Sequence, residues 1–164
     1  MNSDNVLAVS GAVIAVAALA VSVYQSWVTR DHNRRSVRPL LRLRLSLRTG
    51  QTAGIRLTNS GLGPALITKA MVWLDGKSIG PYSEDTSNVI RGDQRPRPSA
   101  TTLTPGDVLA TDYDQYILAV ADFDLAVDWH AAFTNLVRER LVLEIHYTSL
   151  YEERSWTARW PTHR

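Results

Sequence analysis

The sequence of 164 residues contains no cysteine. Disulfide bonds, thiolate zinc sites, iron–sulfur clusters and a cysteine nucleophile are therefore excluded. No charged residue occurs from Val6 to Val28, and no lysine or arginine occurs from Thr104 to Val137, although that second stretch holds six aspartates. The overall composition, 45% hydrophobic and 21% charged, is ordinary for a globular domain and excludes wholesale disorder.

The uncharged stretch from Val6 to Val28 is the most informative segment of the chain. Its 23 residues exceed the roughly 20 that a helix needs to cross the hydrocarbon core of a bilayer. Tyr24 and Trp27 lie near its end, where aromatic rings favour the level of the lipid headgroups. The sequence therefore predicts a membrane-spanning helix.

A cleaved signal peptide is the alternative for this segment, because the small residues Ala18 to Ala20 resemble a cleavage site. A secretory signal requires a basic region before its apolar run, and the first five residues contain no lysine or arginine. The apolar run also continues past that site to Val28. The pattern favours an uncut transmembrane anchor over residues 1–29.

Arginines dominate the residues after the span, whereas the residues before it include one acid and no base. Because basic residues near a span favour the cytoplasmic side, we expect a single pass through the inner (plasma) membrane, with the N-terminus outside and the C-terminal domain cytoplasmic. Residues 30–38 are predicted to form a basic juxtamembrane linker. The residues predicted at the membrane interface are Tyr24, Trp27, Arg30, Arg34, Arg35 and Arg38.

Nucleic-acid binding is the alternative interpretation of these arginines. The sequence has no lysine-rich tail, no basic strand interleaved with aromatic residues and no helix-turn-helix pattern. Basic residues beside a span also attract anionic headgroups, at about 1 kcal/mol each. The predicted partner of the arginines is therefore the lipid bilayer and not a nucleic acid.

Small residues recur within the predicted span at a spacing of four. Gly11 with Ala15, and Ala18 with Ser22, would each share one face of a helix and would allow two helices to approach closely. An alanine-rich helix also produces this spacing by chance. Formation of a homo-oligomer through the transmembrane helix is therefore a hypothesis.

The remainder of the chain, residues 39–164, has the pattern of a β domain. Leucines at positions 41, 43, 45 and 47 alternate with arginine and serine, which predicts a half-buried strand with its arginines in solvent. One short helix is predicted with Asp128 as its N-cap, and residues 83–99 are predicted to form an exposed loop. About seven short strands separated by turns predict a mainly β fold, an antiparallel β-sandwich of the immunoglobulin-like type.

Several segments together resemble a loosely related set of bacterial proteins. They are "RRSVRPLLRLRL", "LTNSGLGPALI" with the following "WLDGK", and "LEIHYTSLYEERSW". Over most of residues 6–160 the chain is similar to uncharacterised bacterial single-span membrane proteins with a cytoplasmic β-sandwich. The distinctive element is Asn-x-Gly-x-Gly-Pro-Ala, from Asn59 to Ala65. The resemblance implies this fold and location, and it implies no catalytic residue.

The glycine-rich element predicts a turn rather than a phosphate site. A phosphate-binding loop opens a helix, whereas Gly61 and Gly63 lead into another predicted strand. Asn59 is expected to hydrogen-bond the local backbone. We therefore expect a structural turn formed by Asn59, Gly61, Gly63 and Pro64.

Neither a metal site nor a catalytic site is predicted. The aspartates between positions 112 and 128 could gather around calcium, but they lack the twelve-residue loop with its required glycine, and turns or caps explain them equally well. His130 with Asp128 and a serine could form a nucleophile relay, but no G-x-S-x-G elbow is present. No cofactor and no enzymatic activity are expected.

Aromatic residues are concentrated near the end of the chain. Tyr147 and Trp156 are expected in the core, and Tyr151 and Trp160 form the candidate partner surface. The predicted function is a membrane-anchored cytoplasmic β-sandwich that acts as a non-catalytic binding or scaffold module for an unknown protein partner. The alternative is a membrane-perturbing effector of a bacterial antiviral defence system, triggered through its sandwich domain.

Overall fold

A computed structural model describes residues 3–36, 38–92, 97–150 and 154–161 of the chain. The chain divides into two compact units, residues 1–36 and residues 37–164. The first unit is a helix and the second is mainly β. The boundary between the two units falls within the predicted linker, residues 30–38.

Helix α1 runs from Ser3 to Ser36 and is 34 residues long. At 1.5 Å per residue, its length is about 51 Å. Its central stretch Gly11–Thr29 has a mean hydropathy of 1.7, and none of that stretch is buried. The helix is therefore long and apolar enough to span a membrane. It continues over residues 30–36, so most of the predicted linker is helical.

The described residues of the second unit form nine strands and two short helices. The strands are β1 (Leu41–Ser46), β2 (Ala53–Asn59), β3 (Ala65–Leu74), β4 (Lys77–Pro81), β5 (Ser99–Ala100), β6 (Val108–Leu109), β7 (Asp114–Val120), β8 (Leu141–Ser149) and β9 (Ser155–Trp160). Helix α2 (Glu84–Arg91) follows β4, and helix α3 (Asp128–Asn135) follows β7. A π-helical turn, Leu136–Arg140, connects α3 to β8.

The first sheet has the strand order β1-β2-β7-β5, and its neighbouring strands are antiparallel. Successive residues of a strand point to opposite faces, so the leucine–arginine alternation of β1 predicts one buried and one exposed side. This prediction is confirmed: Leu41 and Leu43 are buried, and Arg42 and Arg44 are exposed.

The second sheet is also antiparallel and has the strand order β4-β3-β8-β9, with β6 paired to the first residues of β3. Asp75 and Gly76 connect β3 to β4 with φ angles of 52° and 77°, which are the positive angles that a tight hairpin turn requires. Because β3 lies between β4 and β8, it has the central position that its apolar residues predict.

Buried apolar side chains from both sheets belong to one hydrophobic core. Ile55 and Leu57 of the first sheet are 0% exposed, and Ile67 and Leu143 of the second sheet are 1% exposed. Phe133 of α3 is fully buried in the same core. Each such side chain stabilises the fold by about 1.5–3 kcal/mol relative to its exposure to water.

The prediction of an exposed loop over residues 83–99 is wrong for its first half, because α2 forms there. The cause is a capping box: Thr86 N–H donates to Ser83 Oγ, and Ser83 N–H donates to Thr86 Oγ1. Ile90 is buried and joins the core. A threonine stands where a capping box usually has glutamate or glutamine, so the sequence signal is weak. The domain therefore has two short helices, whereas the sequence predicts one.

The predicted helix near Asp128 is confirmed, but its N-cap is Val127 and not Asp128. Asp128 is instead the first residue of α3, where a negative charge favours the N-terminal end of the helix dipole. Phe133, Leu136 and Val137 are buried, as their helical spacing predicts.

Candidate functional site

The side chain of Asn59, which is 4% exposed, joins three parts of the β domain. Its Oδ1 atom accepts hydrogen bonds from the N–H groups of Leu40 and Gly61, each at 3.1 Å. Its Nδ2 atom donates to the carbonyl oxygens of Gly63 and Ala110, each at 2.9 Å. This carboxamide therefore connects the glycine-rich turn to the residue before β1 and to the residue after β6.

Gly61 lies against the same incoming segment of chain. A Cβ atom at Gly61 would be 2.4 Å from the carbonyl oxygen of Arg38 and 2.4 Å from the amide nitrogen of Leu40. Since both of these are backbone atoms, a larger residue would displace the segment. Ser60 N–H also donates to the carbonyl oxygen of Leu40 at 2.9 Å. Residues 38–40 thus rest on the turn that contains the predicted residues Asn59, Gly61, Gly63 and Pro64.

The predicted membrane-interface residues belong to both units. Those on α1 are Tyr24, Trp27, Arg30, Arg34 and Arg35. The side chains of Tyr24 and Trp27 are 66% and 68% exposed. Arg38 belongs to the second unit, where its guanidinium lies 5.2 Å from the centre of a Trp156 ring in a cation–π contact. Contact of these residues with lipid stays a prediction.

Trp156 belongs to an aromatic pair that fixes the start of β1. Its ring lies 5.9 Å from the ring of Tyr147, measured between centroids. The Tyr147 hydroxyl oxygen accepts a hydrogen bond from Leu41 N–H at 3.2 Å, which links the second sheet to the first. The beginning of β1 is therefore fixed by Asn59, at the end of β2, and by Tyr147 on β8 of the second sheet.

The candidate partner residue Trp160 lines a groove with a volume of about 530 Å³. The residues of this Trp160 groove are Leu45, Leu47, Arg138, Glu139, Trp160 and Pro161. Trp160 Nε1 donates to the carbonyl oxygen of Val137 at 2.7 Å, so the indole is fixed in place. The groove thus places apolar side chains beside one charged residue of each sign. Tyr151, the other predicted surface residue, lies outside the described residues.

His130 is a deeply buried ionisable side chain outside these regions, at 2% exposure. Its Nδ1 atom accepts a hydrogen bond from the Asp124 N–H at 2.8 Å and lies 2.7 Å from the Asp124 carbonyl oxygen. Its ring packs against Trp129 and Phe123. The backbone of Asp124 thus engages Nδ1, and the side chain of Asp128 does not. His130 therefore orders the turn before α3.

A second cavity, of about 490 Å³, lies beside His130. Its lining residues are Arg97, Ser99, Ala119, Val120, Ala121, Asp122, Trp129 and His130. Sequence reasoning missed this cavity because β5, β7 and α3 each contribute one wall. The His130 Nε2 atom has no hydrogen-bond partner among the described residues, but it is itself buried. A molecule in the cavity would therefore reach that atom only if the ring moved.

Two of the aspartates considered as calcium ligands have other partners. Arg56 Nη2 donates to Asp114 Oδ2 at 2.6 Å, and Asp124 Oδ1 accepts from Ala126 N–H at 3.0 Å. No group of three or more acidic or histidine side chains converges on a metal site within the described parts of the chain. Ion pairing and turn formation account for these two aspartates.

Two further polar contacts connect distant parts of the domain. Arg140 donates through Nε and Nη2 to the two carboxylate oxygens of Asp75, both at 2.7 Å, and these bonds lower the pKa of Asp75. The hydroxyl of Tyr82 donates to the carbonyl oxygen of Ile117 at 2.5 Å, and burial raises the pKa of Tyr82. These contacts are structural, since one joins the β3–β4 turn to the residue before β8 and the other lies in the core.

No protein-family model and no curated protein matches the chain. The resemblance built on the Asn-x-Gly-x-Gly-Pro-Ala element therefore stays a prediction.

Proposed function

We propose that this protein is a single-pass membrane protein whose β domain is a non-catalytic binding module. The observation that carries the proposal is the exposure of α1, where every side chain from residue 11 to residue 29 is exposed. Soluble monomers rarely expose apolar patches larger than a few hundred Å². A bilayer solvates such a surface, because a helix satisfies its own backbone hydrogen bonds and presents only side chains to lipid.

We further propose that the β domain is an immunoglobulin-like sandwich. The strand orders β1-β2-β7-β5 and β4-β3-β8-β9 correspond to the A-B-E-D and C′-C-F-G orders of that fold. The shared hydrophobic core supports face-to-face packing of the sheets. Two hydrogen bonds between the sheets support it too. The Leu41–Tyr147 bond joins β1 of the first sheet to β8 of the second, and the Tyr82–Ile117 bond joins the residue after β4 of the second sheet to β7 of the first.

The proposed orientation places the N-terminus outside and the β domain in the cytoplasm. Its support is the charge asymmetry across the span, with arginines at positions 30, 34, 35 and 38 after it and no basic residue before it. The β domain then works at the inner surface of the membrane.

The proposed recognition surface for a protein partner is the Trp160 groove. Leu45 and Trp160 belong to β1 and β9, which are the last strands of their sheets in the described part of the domain. A terminal strand offers backbone N–H and C=O groups to an added strand, and the groove offers apolar side chains beside them. An extended segment of a partner protein fits both features.

Alkaline carbonate extraction of cell membranes tests the anchoring. We expect the natural chain to stay in the membrane pellet. The double variant Val16→Arg with Leu19→Arg should move to the supernatant, since each arginine at a helix centre costs about 2.5–3.5 kcal/mol of insertion free energy.

The matched control places the same substitutions on exposed apolar residues of the β domain, Val89→Arg with Leu125→Arg. This control variant should remain in the pellet with the natural chain. Release of the natural chain by carbonate would contradict the proposal, and so would equal retention of both double variants.

A further inference from the structure

The outer side of the first sheet carries three exposed arginines, which we name the arginine face: Arg42 and Arg44 on β1, and Arg56 on β2. Arg44 and Arg56 are directly opposite each other in the β1–β2 register. Like charges in this position repel and destabilise a sheet. An anion between the two guanidinium groups would remove the repulsion.

The domain compensates only part of this charge. Asp114 forms an ion pair with Arg56, and the Tyr116 ring centre lies 5.8 Å from the Arg56 guanidinium. Arg42 and Arg44 have no ion-pair partner in the parts of the chain that the structure describes. Two positive charges on the arginine face are therefore left for a partner from outside the domain.

We propose that the arginine face docks on anionic lipid headgroups of the bilayer that α1 spans, an inference that rests on the proposed membrane function. Four residues, 37–40, separate the end of α1 from the start of β1. So short a connection gives anionic headgroups a high effective concentration around β1. Planar guanidinium groups donate paired hydrogen bonds to phosphate, which every phospholipid headgroup carries.

A polynucleotide carries the same phosphate chemistry, but two features of the face favour lipid. No tether in the chain concentrates a polynucleotide at β1. Proteins that bind single strands also offer exposed aromatic rings for base stacking. Tyr116, the aromatic residue beside Arg56, is only half-exposed, and its hydroxyl donates to the carbonyl oxygen of Thr52 at 3.1 Å.

The test uses the full chain in nanodiscs, and it exploits the absence of cysteine. Thr58 pairs with Arg42 across β1 and β2, so a fluorophore on Thr58→Cys reports on the arginine face. A fluorophore on Thr157→Cys, an exposed position of β9, reports on the second sheet. The nanodiscs contain either phosphatidylcholine alone or a mixture with phosphatidylglycerol, and each carries a headgroup-attached quencher.

We expect the fluorophore at position 58 to be quenched strongly in anionic nanodiscs and weakly in neutral ones, with little quenching at position 157. High salt should remove the difference, because it screens exposed charges. Arg42→Gln with Arg44→Gln should lower the docking equilibrium about 25-fold, at about fivefold for each arginine near an anionic surface. The control pair Lys69→Gln with Lys77→Gln removes the same charge from exposed positions of the second sheet and should leave quenching unchanged.

Equal quenching in neutral and anionic nanodiscs would overturn the proposal, as would insensitivity to the Arg42 and Arg44 substitutions. Binding of an oligouridylate RNA that depends on these two arginines, without lipid quenching, would assign the face to nucleic acid instead. Failure of the natural chain to incorporate into nanodiscs would refute the membrane anchor itself. That result is distinct from incorporation without quenching, which refutes the docking alone.

Discussion

Asn59 connects the start of the β domain to two other parts of the fold. Its carboxamide uses both of its polar atoms on backbone groups that are distant along the chain, including Leu40 and Ala110. The asparagine side chain offers an acceptor and two donors in one plane, a combination that no other short side chain provides. This explains why a turn that could be built from glycine and proline alone also contains an asparagine.

Replacement of Asn59 by alanine should reduce the free energy of unfolding by about 2–4 kcal/mol, because buried backbone donors and acceptors lose their partner. Asn59→Asp should be at least as harmful, since a carboxylate oxygen would then face the carbonyl oxygens of Gly63 and Ala110. Urea unfolding of the full chain in detergent micelles, followed by tryptophan fluorescence, measures both changes.

The control for this prediction is Asn135→Ala, which removes an exposed asparagine at the end of α3. A change within about 0.5 kcal/mol is expected there. If Asn59→Ala proved as stable as Asn135→Ala, Asn59 would not hold the segment before β1.

The sequence predicts the turn at Asn59 and a hydrogen bond from its side chain to the local backbone. It does not predict the hydrogen-bond partners that are distant along the chain. The alternation of leucine and arginine in β1 is a local pattern, and the structure follows it directly. The bond from Asn59 to Ala110 joins positions 51 apart, and no local pattern specifies such a pairing. The cavity beside His130 escapes sequence reasoning for the same reason.

At the scale of elements, α1 stands apart because none of its apolar stretch Gly11–Thr29 is buried. In lipid, helix association depends on close approach of backbones, which small residues allow. A Cβ atom added at Gly11 would meet no other atom within 4 Å, so the small-residue side of the helix is open. Self-association of α1 is therefore a prediction about this element alone.

Gly11→Ile with Ala15→Ile should lower the dimer fraction of the chain in liposomes several-fold, because the larger side chains keep two helices apart. Energy transfer between donor-labelled and acceptor-labelled chains measures this fraction. The control, Val13→Ile with Ala17→Ile, enlarges the opposite side of the helix and should leave the dimer fraction unchanged. Equal transfer in both variants would contradict association through the Gly11 side.

The same variants separate the binding module from the membrane-perturbing alternative. A binding module predicts normal growth when the natural chain is induced. An effector predicts arrested growth that Gly11→Ile with Ala15→Ile relieves and that the control pair does not. Growth curves after induction distinguish the two outcomes.

Helices and strands that have a clear local sequence pattern are predictable from the sequence. Those that depend on contacts formed only in the folded domain are not. The apolar helix α1, the hairpin at Asp75 and the helix near Asp128 each have a recognisable pattern. Helix α2 depends on the reciprocal bonds between Ser83 and Thr86 and on burial of Ile90. Neither feature is visible before the chain folds, which is why the sequence predicts a loop there.

At the scale of the whole molecule, the strand order could not be read from the sequence. Sheet formation pairs β2 with β7 and β3 with β8, across connections that contain other strands and helices. Period-two alternation identifies strands and their inner faces, but it does not say which strands are neighbours. The division into an apolar helix and a β domain is different, because composition alone separates them.

The central claim is that α1 crosses the membrane and leaves the β domain in the cytoplasm. Because the chain has no cysteine, single cysteines can be placed at will: Ser3→Cys near the N-terminus and Ser78→Cys on exposed β4. The direct measurement is labelling with a membrane-impermeant maleimide in intact cells and after permeabilisation. The account predicts that Ser3→Cys reacts in intact cells and that Ser78→Cys reacts only after permeabilisation. Reaction of Ser78→Cys in intact cells would contradict it.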